Sequence, residues 1–177
     1  MEGAQRPGHF RGVSTVVARL FALARPHRAY FGQKDAQQVA VIRRLVQDLG
    51  FPLHIVECPT VRERDGLAMS SRNVYLDAKD RAAAPVIARA LRAAQAAFAR
   101  GVHDRDALIR VAREILEEEP RAQIDYLELR SEGDLLPMPS GPVSSGRMLT
   151  AVRFSGGRPV RLLDNMSLRE GAEQSSL

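Results

Sequence analysis

The 177-residue sequence has one cysteine, Cys58, no tryptophan, and only two lysines, Lys34 and Lys79, beside 24 arginines. A single thiol excludes an internal disulfide framework and fits a reducing compartment, so the expected location is cytoplasmic. No apolar run approaches the roughly 18 residues a membrane-crossing helix needs. The stretch Met1–Pro7 lacks the apolar core of a secretory signal and reads as a cytosolic start or a cut end. Aromatic residues are 5% of the chain. A nucleic-acid surface calls for clustered cations interleaved with stacking rings. Here the arginines are scattered among 21 acids despite a net charge of +5, which points to genome composition instead. Neither nucleic acid nor a membrane is an expected partner. What is present, 45% hydrophobic and 27% charged residues, describes a folded globular chain.

Apolar residues at three- and four-residue spacing predict a helix over residues 11–25, ended by Pro26. A short strand follows at Ala29–Phe31, then a polar turn at Gln33–Asp35. A second helix runs to Leu49, with Asp35 as its N-cap, Val39, Ile42, Leu45, Val46 and Leu49 inward, and Gly50 as its stop. Leu53–Val56 reads as a second, buried strand. This alternation is the rhythm of a parallel sheet with crossover helices. Two strands are too few for such a sheet, so the segment reads as the tail of an α/β domain. Residues 61–76 read as a loop. Residues 77–100 read as one Ala-rich helix capped by Asp77 or Asp80. Residues 104–119 form another, with Leu108, Val111, Ile115 and Leu116 inward. Strands are expected at 124–129, 148–154 and 160–163, the first two with period-two alternation over part of their length, and Gly156-Gly157 as the last turn. Helices followed by strands indicate an α+β unit. The boundaries are 1–60 for the α/β remnant, 61–170 for the α+β unit and 171–177 for a flexible tail.

Two segments carry candidate chemistry. In Phe31-Gly32-Gln33-Lys34-Asp35-Ala36-Gln37-Gln38 a glycine after a strand lets backbone approach a ligand. The next helix start offers unpaired N–H groups and partial positive charge. Lys34 adds a compact ammonium, and Gln38 falls on the same side of the first turn. The segment is either a phosphate or carboxylate cradle or a solvated strand-to-helix turn. In Asp65-Gly66-Leu67-Ala68-Met69-Ser70-Ser71-Arg72-Asn73, two hydroxyls and an arginine after a glycine either wrap a triphosphate or form a surface turn. His9, beside Arg6 and Gly8, either meets an anion or is structural. His27, His54 and His103 show no metal-ligand spacing, and no protein metal site is expected. Cys58 reads as a packing residue.

Together these segments resemble the pantothenate synthetase (pantoate–β-alanine ligase) family over His9 to about Arg169. The resemblance rests on Arg-Pro-x-His-Phe-x-Gly-Val-x-Thr-Val-Val at 6–17, on residues 30–38, on Pro59 to Leu76, on Asp125–Leu129 and on Arg161–Asn165. It implies a partial nucleotidyltransferase-like Rossmann domain with a parallel sheet. A small α+β domain, with helices on an antiparallel sheet, would follow and close over ATP. It also implies ATP-dependent condensation of pantoate with β-alanine through pantoyl adenylate, with ATP as a substrate and Mg²⁺ accompanying it. Carried over by position, Lys34, Ser70, Ser71 and Arg72 would be catalytic. Gly32, Gln33, Lys34, Asp35, Val61, Met69 and the Ser70–Arg72 run would bind ATP. Gln38 and His9 would meet pantoate.

The family's first strand and its His-x-x-His turn have no counterpart here. The chain resembles the C-terminal three-fifths of the family, so it is expected to show little or no activity alone. The family is homodimeric, and the missing N-terminal half is a further candidate partner in trans. A non-catalytic nucleotide-binding or assembly module of the same fold is the alternative, and a related adenylyltransferase acting on another acid is a third reading.

Overall fold

The computed structural model describes residues 1–169; the expected tail at 171–177 lies outside the described residues. The chain divides into two compact units, Met1–Pro59 and Thr60 onward.

The first unit opens with a short helix α1 (Glu2–Gln5) and the amphipathic α2 (His9–Ala24). α2 starts after Gly8 at φ +79 and stops at Arg25, whose φ of +47 is left-handed and whose N–H donates to the Phe21 carbonyl. Pro26 then forbids continuation. Strand β1 (Arg28–Gly32) leads through a 3-10 turn, Gln33–Asp35, into α3 (Ala36–Leu49), and β2 (His54–Cys58) follows. β1 and β2 pair in parallel, with Gly32 opposite Cys58. Gly50, at φ +62, ends α3 by donating to the carbonyls of Val46 and Gln47. The core is small: Phe21, Ile42 and Leu53 are buried, with Val13, Val17, Ala29, Phe31, Val46, Phe51 and Ile55 packed around them. Phe21 stands edge-on to both Phe31 and Phe51, at centroid distances of 6.4 and 5.7 Å. Each such pair adds about 0.5–1.5 kcal/mol beyond burial.

Three expectations fail in this unit. Asp35 occupies the N-cap position, but its side chain caps nothing. The 3-10 turn before it sets ψ at 53, not the extended value from which a cap side chain reaches forward. Leu49 is 57% exposed, because the last turn of α3 runs past the cluster that Val46 and Phe51 close. β2 is only half-buried, because helices α2 and α3 cover one face of a sheet only two strands wide.

The second unit holds most of the core. After the 60–76 loop come α4 (Ala78–Ala83), α5 (Val86–Ala99) and α6 (Arg105–Glu117). The expected single helix over 77–100 is broken at Ala84–Pro85, where proline has no N–H to donate and its ring crowds the preceding turn. Asp77 is the cap, accepting from the Asp80 N–H, and Asp104 caps α6 by accepting from Ala107. Strands β3 (Gln123–Arg130), β4 (Arg147–Phe154) and β5 (Val160–Ser167) form an antiparallel sheet in that order, with a bulge at Ile124–Tyr126. Ile87, Leu91, Leu108 and Leu116 of the helices meet Met148, Val152, Phe154, Leu162 and Met166 of the sheet.

The alternation expected in β4 is absent: only Arg153 is exposed. At the start of the strand the connection before β4 meets the second face. There Glu132 accepts from Arg147 at 2.7 Å and from the Ser167 hydroxyl at 3.0 Å. β4 is therefore covered on both sides.

Candidate functional site

In the first unit, the sheet delivers Gly32 to the C-terminal end of β1, and the 3-10 turn sets the next three residues before α3 begins. This is the end of a parallel sheet where open α/β folds take ligands. Gln33 is buried at 4% exposure. Lys34 is half-buried and Asp35 exposed. Gln38, half-buried, lies in the first turn of α3. Its neighbour Gln37 is engaged elsewhere, accepting the Glu2 N–H at 2.8 Å. Cys58, half-buried, stands beside Gly32 in register. His9 opens α2, with its Nε2 3.3 Å from an Arg6 nitrogen. A cavity of about 630 Å³, bounded by Phe21, Arg25, His27, Phe51 and Leu53, lies at the opposite ends of the strands. It shares no residue with the turn.

In the second unit, residues 61–69 form a tight hairpin. Met69 N–H donates to the Val61 carbonyl at 2.9 Å, and Glu63 N–H to the Leu67 carbonyl at 2.8 Å. Gly66 makes the bend at φ +93, and a Cβ there would meet the Arg92 guanidinium at 2.7 Å. The left-handed φ favours glycine, while the Arg92 guanidinium is the end of a flexible side chain that could shift. Val61 and Met69 are exposed at 65% and 55%, with their backbones joined to each other. The chain then turns at Ser70, whose hydroxyl accepts the Arg72 N–H at 3.2 Å, while its carbonyl accepts the Asn73 N–H. Ser71 and Arg72 are exposed, and no hydrogen bond holds either side chain among the described residues.

Beneath this exposed crest lies a polar frame that sequence reading missed. Arg62 makes a two-pronged pair with buried Asp164 of β5, at 2.6 and 3.1 Å, and donates to the Gly66 carbonyl. Arg81 of α4 holds Glu63 and Asp65 at once, each at 2.6 Å. The Asn73 amide donates to Glu63 and to the Ala68 carbonyl. The Asn73 amide, then the Arg81 guanidinium, holds the Glu63 carboxyl below its ordinary range. Asp65 is lowered chiefly by Arg81. These charge-assisted pairs fix the backbone of the loop. Asp80, the other expected cap, is buried and instead accepts from Arg121 and from the Gly156 N–H. The partners lie from 4 to 102 residues apart, and no local signal marks the distant ones. The Thr60 hydroxyl, at the start of the same loop, is buried with no hydrogen-bond partner among the described residues. Among the described residues no group of three His, Cys, Asp or Glu side chains could hold a metal ion, and no helix is long and apolar enough to cross a membrane.

The parallel strand–turn–helix unit and the helix-backed antiparallel sheet define the class: a nucleotidyltransferase-like α/β fold. The sequence model of the Pantoate-beta-alanine ligase family matches residues 1–167, and the chain belongs to that family. A pantothenate synthetase of Roseiflexus sp. (strain RS-1) is 52% identical over 168 residues, covering 95% of this chain and 59% of the relative. The pantothenate synthetase structure from Thermus thermophilus superposes with a TM-score of 0.87 at 49% identity, covering 95% of this chain and 59% of that one. A pantoate–β-alanine ligase of Francisella tularensis, solved with "Beta-gamma ATP and Beta-alanine", matches with a TM-score of 0.65 at 31% identity, over 95% and 54%. The chain thus spans about three-fifths of the length of these relatives.

Proposed function

We propose that this chain carries part of the machinery for ATP-dependent, AMP-forming ligation of pantoate to β-alanine. The observation that carries the reading is the placement of Lys34 in the turn between β1 and α3, with Gly32 at the strand end and Gln38 one helical turn on. In the first step a pantoate carboxylate oxygen bonds to the α-phosphorus, and the bond from that phosphorus to the bridging oxygen breaks, releasing pyrophosphate. In the second, the β-alanine amine bonds to the acyl carbon, loses a proton, and AMP leaves. Both steps concentrate negative charge on phosphate oxygens, so preorganised donors are the main contribution a protein can make.

In this reading Lys34 neutralises charge on the phosphates, and Gly32, Asp35 and the Gln33 backbone lie against the nucleotide. Gln38 hydrogen-bonds pantoate, and His9 adds a donor for its carboxylate. In the second unit the joined backbones of Val61 and Met69 take the adenine edge. Ser70, Ser71 and Arg72 grip phosphate oxygens from the crest that Arg62 and Arg81 hold rigid. Mg²⁺ enters with the nucleotide as part of the substrate.

The test is pantoate-dependent pyrophosphate release. It is run on the chain alone and on the chain joined to the two-fifths of the Thermus thermophilus relative that it does not match. The joined protein turns over, and Lys34→Ala lowers kcat by about 10²–10³. Full activity of that variant would remove the assignment of Lys34. The two-stranded sheet of the first unit favours a second reading, a nucleotide-binding module without turnover. ATP binding with no pyrophosphate release from the joined protein would establish it.

A further inference from the structure

The cavity at the N-terminal ends of β1 and β2 measures about 630 Å³. Small-molecule sites span about 300–1,000 Å³. Its walls are apolar: Phe21 from the end of α2, Phe51 and Leu53 from the connection between α3 and β2, and two prolines, Pro26 and Pro52. Phe21 and Leu53 are buried, and the Phe51 ring stands edge-on to Phe21 at 5.7 Å. The two connections that frame the opening are fixed. His54 N–H donates to the His27 carbonyl at 3.0 Å, and Phe51 N–H to the Val46 carbonyl at 3.1 Å. Each proline locks its own φ. The walls therefore stand before a ligand arrives, and little ordering cost falls on binding.

The lining also carries a cation without a counter-charge. Arg25 is exposed, and among the described residues its guanidinium makes no hydrogen bond or ion pair. Two acids of α3 and β2 are committed elsewhere: Asp48 accepts from Arg44 at 2.9 Å, and Glu57 pairs with Arg43 at 2.8 Å. Arg25 ends α2 at φ +47, where glycine would close the helix with less strain. Backbone strain of this kind clusters at ligand sites. Here the strained residue is the one that brings a guanidinium to an apolar cavity.

We propose that this cavity binds a small hydrophobic monocarboxylate. Arg25 takes the carboxylate through charge-assisted hydrogen bonds, and Phe21, Phe51 and Leu53 bury the hydrocarbon body. A phosphate or a dicarboxylate fits less well, because Arg25 is the one permanently charged residue of the lining among the described residues. The cavity shares no residue with the Gly32–Gln38 turn, so the proposal stands apart from the ligase reading.

The test is an NMR titration of the isotope-labelled 177-residue chain with 3-phenylpropionate and, separately, with its neutral amide, 3-phenylpropanamide. Saturable shifts are expected at the Arg25 Nε–H and at the backbone amides of Phe51 and Leu53. The carboxylate should bind at least about tenfold more tightly than the amide, the margin a hydrogen bond to a charged group supplies. That comparison needs no variant, so it decides even where a variant misfolds. Arg25→Gln should abolish the preference and leave the amide's affinity unchanged, and Arg25→Lys should restore part of it. Ala22→Phe, at an exposed position of the lining, should fill the cavity and weaken both ligands. Three results overturn the proposal: no saturable shift around the cavity, equal affinity for carboxylate and amide, or a preference that survives Arg25→Gln.

Discussion

The two units solve the same problem with unequal means. In the second, three helices back a three-stranded antiparallel sheet, and its middle strand is covered on both faces. In the first, two strands carry helices on one face, and the cluster holds three buried side chains. Yet the less finished unit bears the more legible chemical segment, Gly32–Gln38. Chemistry is written locally, in residues that share one turn. Stability is written in contacts that span the unit. Predictions that set the units against each other therefore test whether they fold as independently as their cores suggest.

The largest effect is expected at Phe154, buried against α5 and α6. Phe154→Ala should cost about 3–5 kcal/mol, the range for aromatic truncation in a closed core. Phe21→Ala removes a ring from a small cluster bordered by an open cavity, so less packing is lost. Denaturant unfolding should show the Phe154 variant shifting one transition and the Phe21 variant another. A single shared transition for both would show that the two cores melt as one.

Next is Asp164→Asn. It leaves the Arg62 guanidinium facing a neutral amide at a site where the carboxylate is 2% exposed. Breaking a buried pair on one side typically costs about 3–5 kcal/mol; Arg62 is 16% exposed, so the lower end applies. The cost should appear as faster amide exchange at Leu67 and Met69, while β1 amides stay unchanged.

What is legible in the sequence follows the same division. The α2, α3 and α6 boundaries to within two residues, the strands β3 and β4 and the Gly50 stop are readable because periodicity and caps are local, whereas β5 runs to Ser167, four residues past the expected end. A single helix over 77–100 follows the alanine-rich pattern but passes over Pro85, which breaks it. The alternation expected of β4 fails because it assumes one solvated face. That face is buried, with Glu132 meeting it at the Arg147 end, and nothing in residues 147–154 encodes this. The arginines of the loop frame look like scattered composition. Arg62, Arg81 and Arg92 acquire meaning only when β5, α4 and the Gly66 bend come together.

A smaller effect separates the two halves of that frame by pH. Glu63 and Asp65 have folded-state values held below the ordinary carboxylate value of about 4. Their contribution is fully present above the unfolded value and is lost as pH falls through the folded one. NMR of the loop amides should show loosening only in that acid range. Arg81→Gln should raise the apparent values of both carboxyls, and Asn73→Ala that of Glu63 alone. If Asn73→Ala moved Asp65 equally, the two carboxyls would be acting as one group.

The smallest change returns to the first unit and runs the other way. Arg25 ends α2 at φ +47, a conformation that costs a side-chain-bearing residue strain and glycine almost none. Its N–H already closes the helix onto the Phe21 carbonyl, so the turn is native geometry and not fraying. Arg25→Gly should keep that bond and relieve the strain, less the extra backbone freedom glycine has when unfolded, for a net gain of about 0.5–1 kcal/mol. The gain should appear in the transition that Phe21→Ala lowers and not in the one that follows Phe154. A loss of stability would mean that the Arg25 side chain, which lines the cavity under Phe51, contributes more by packing than its backbone costs.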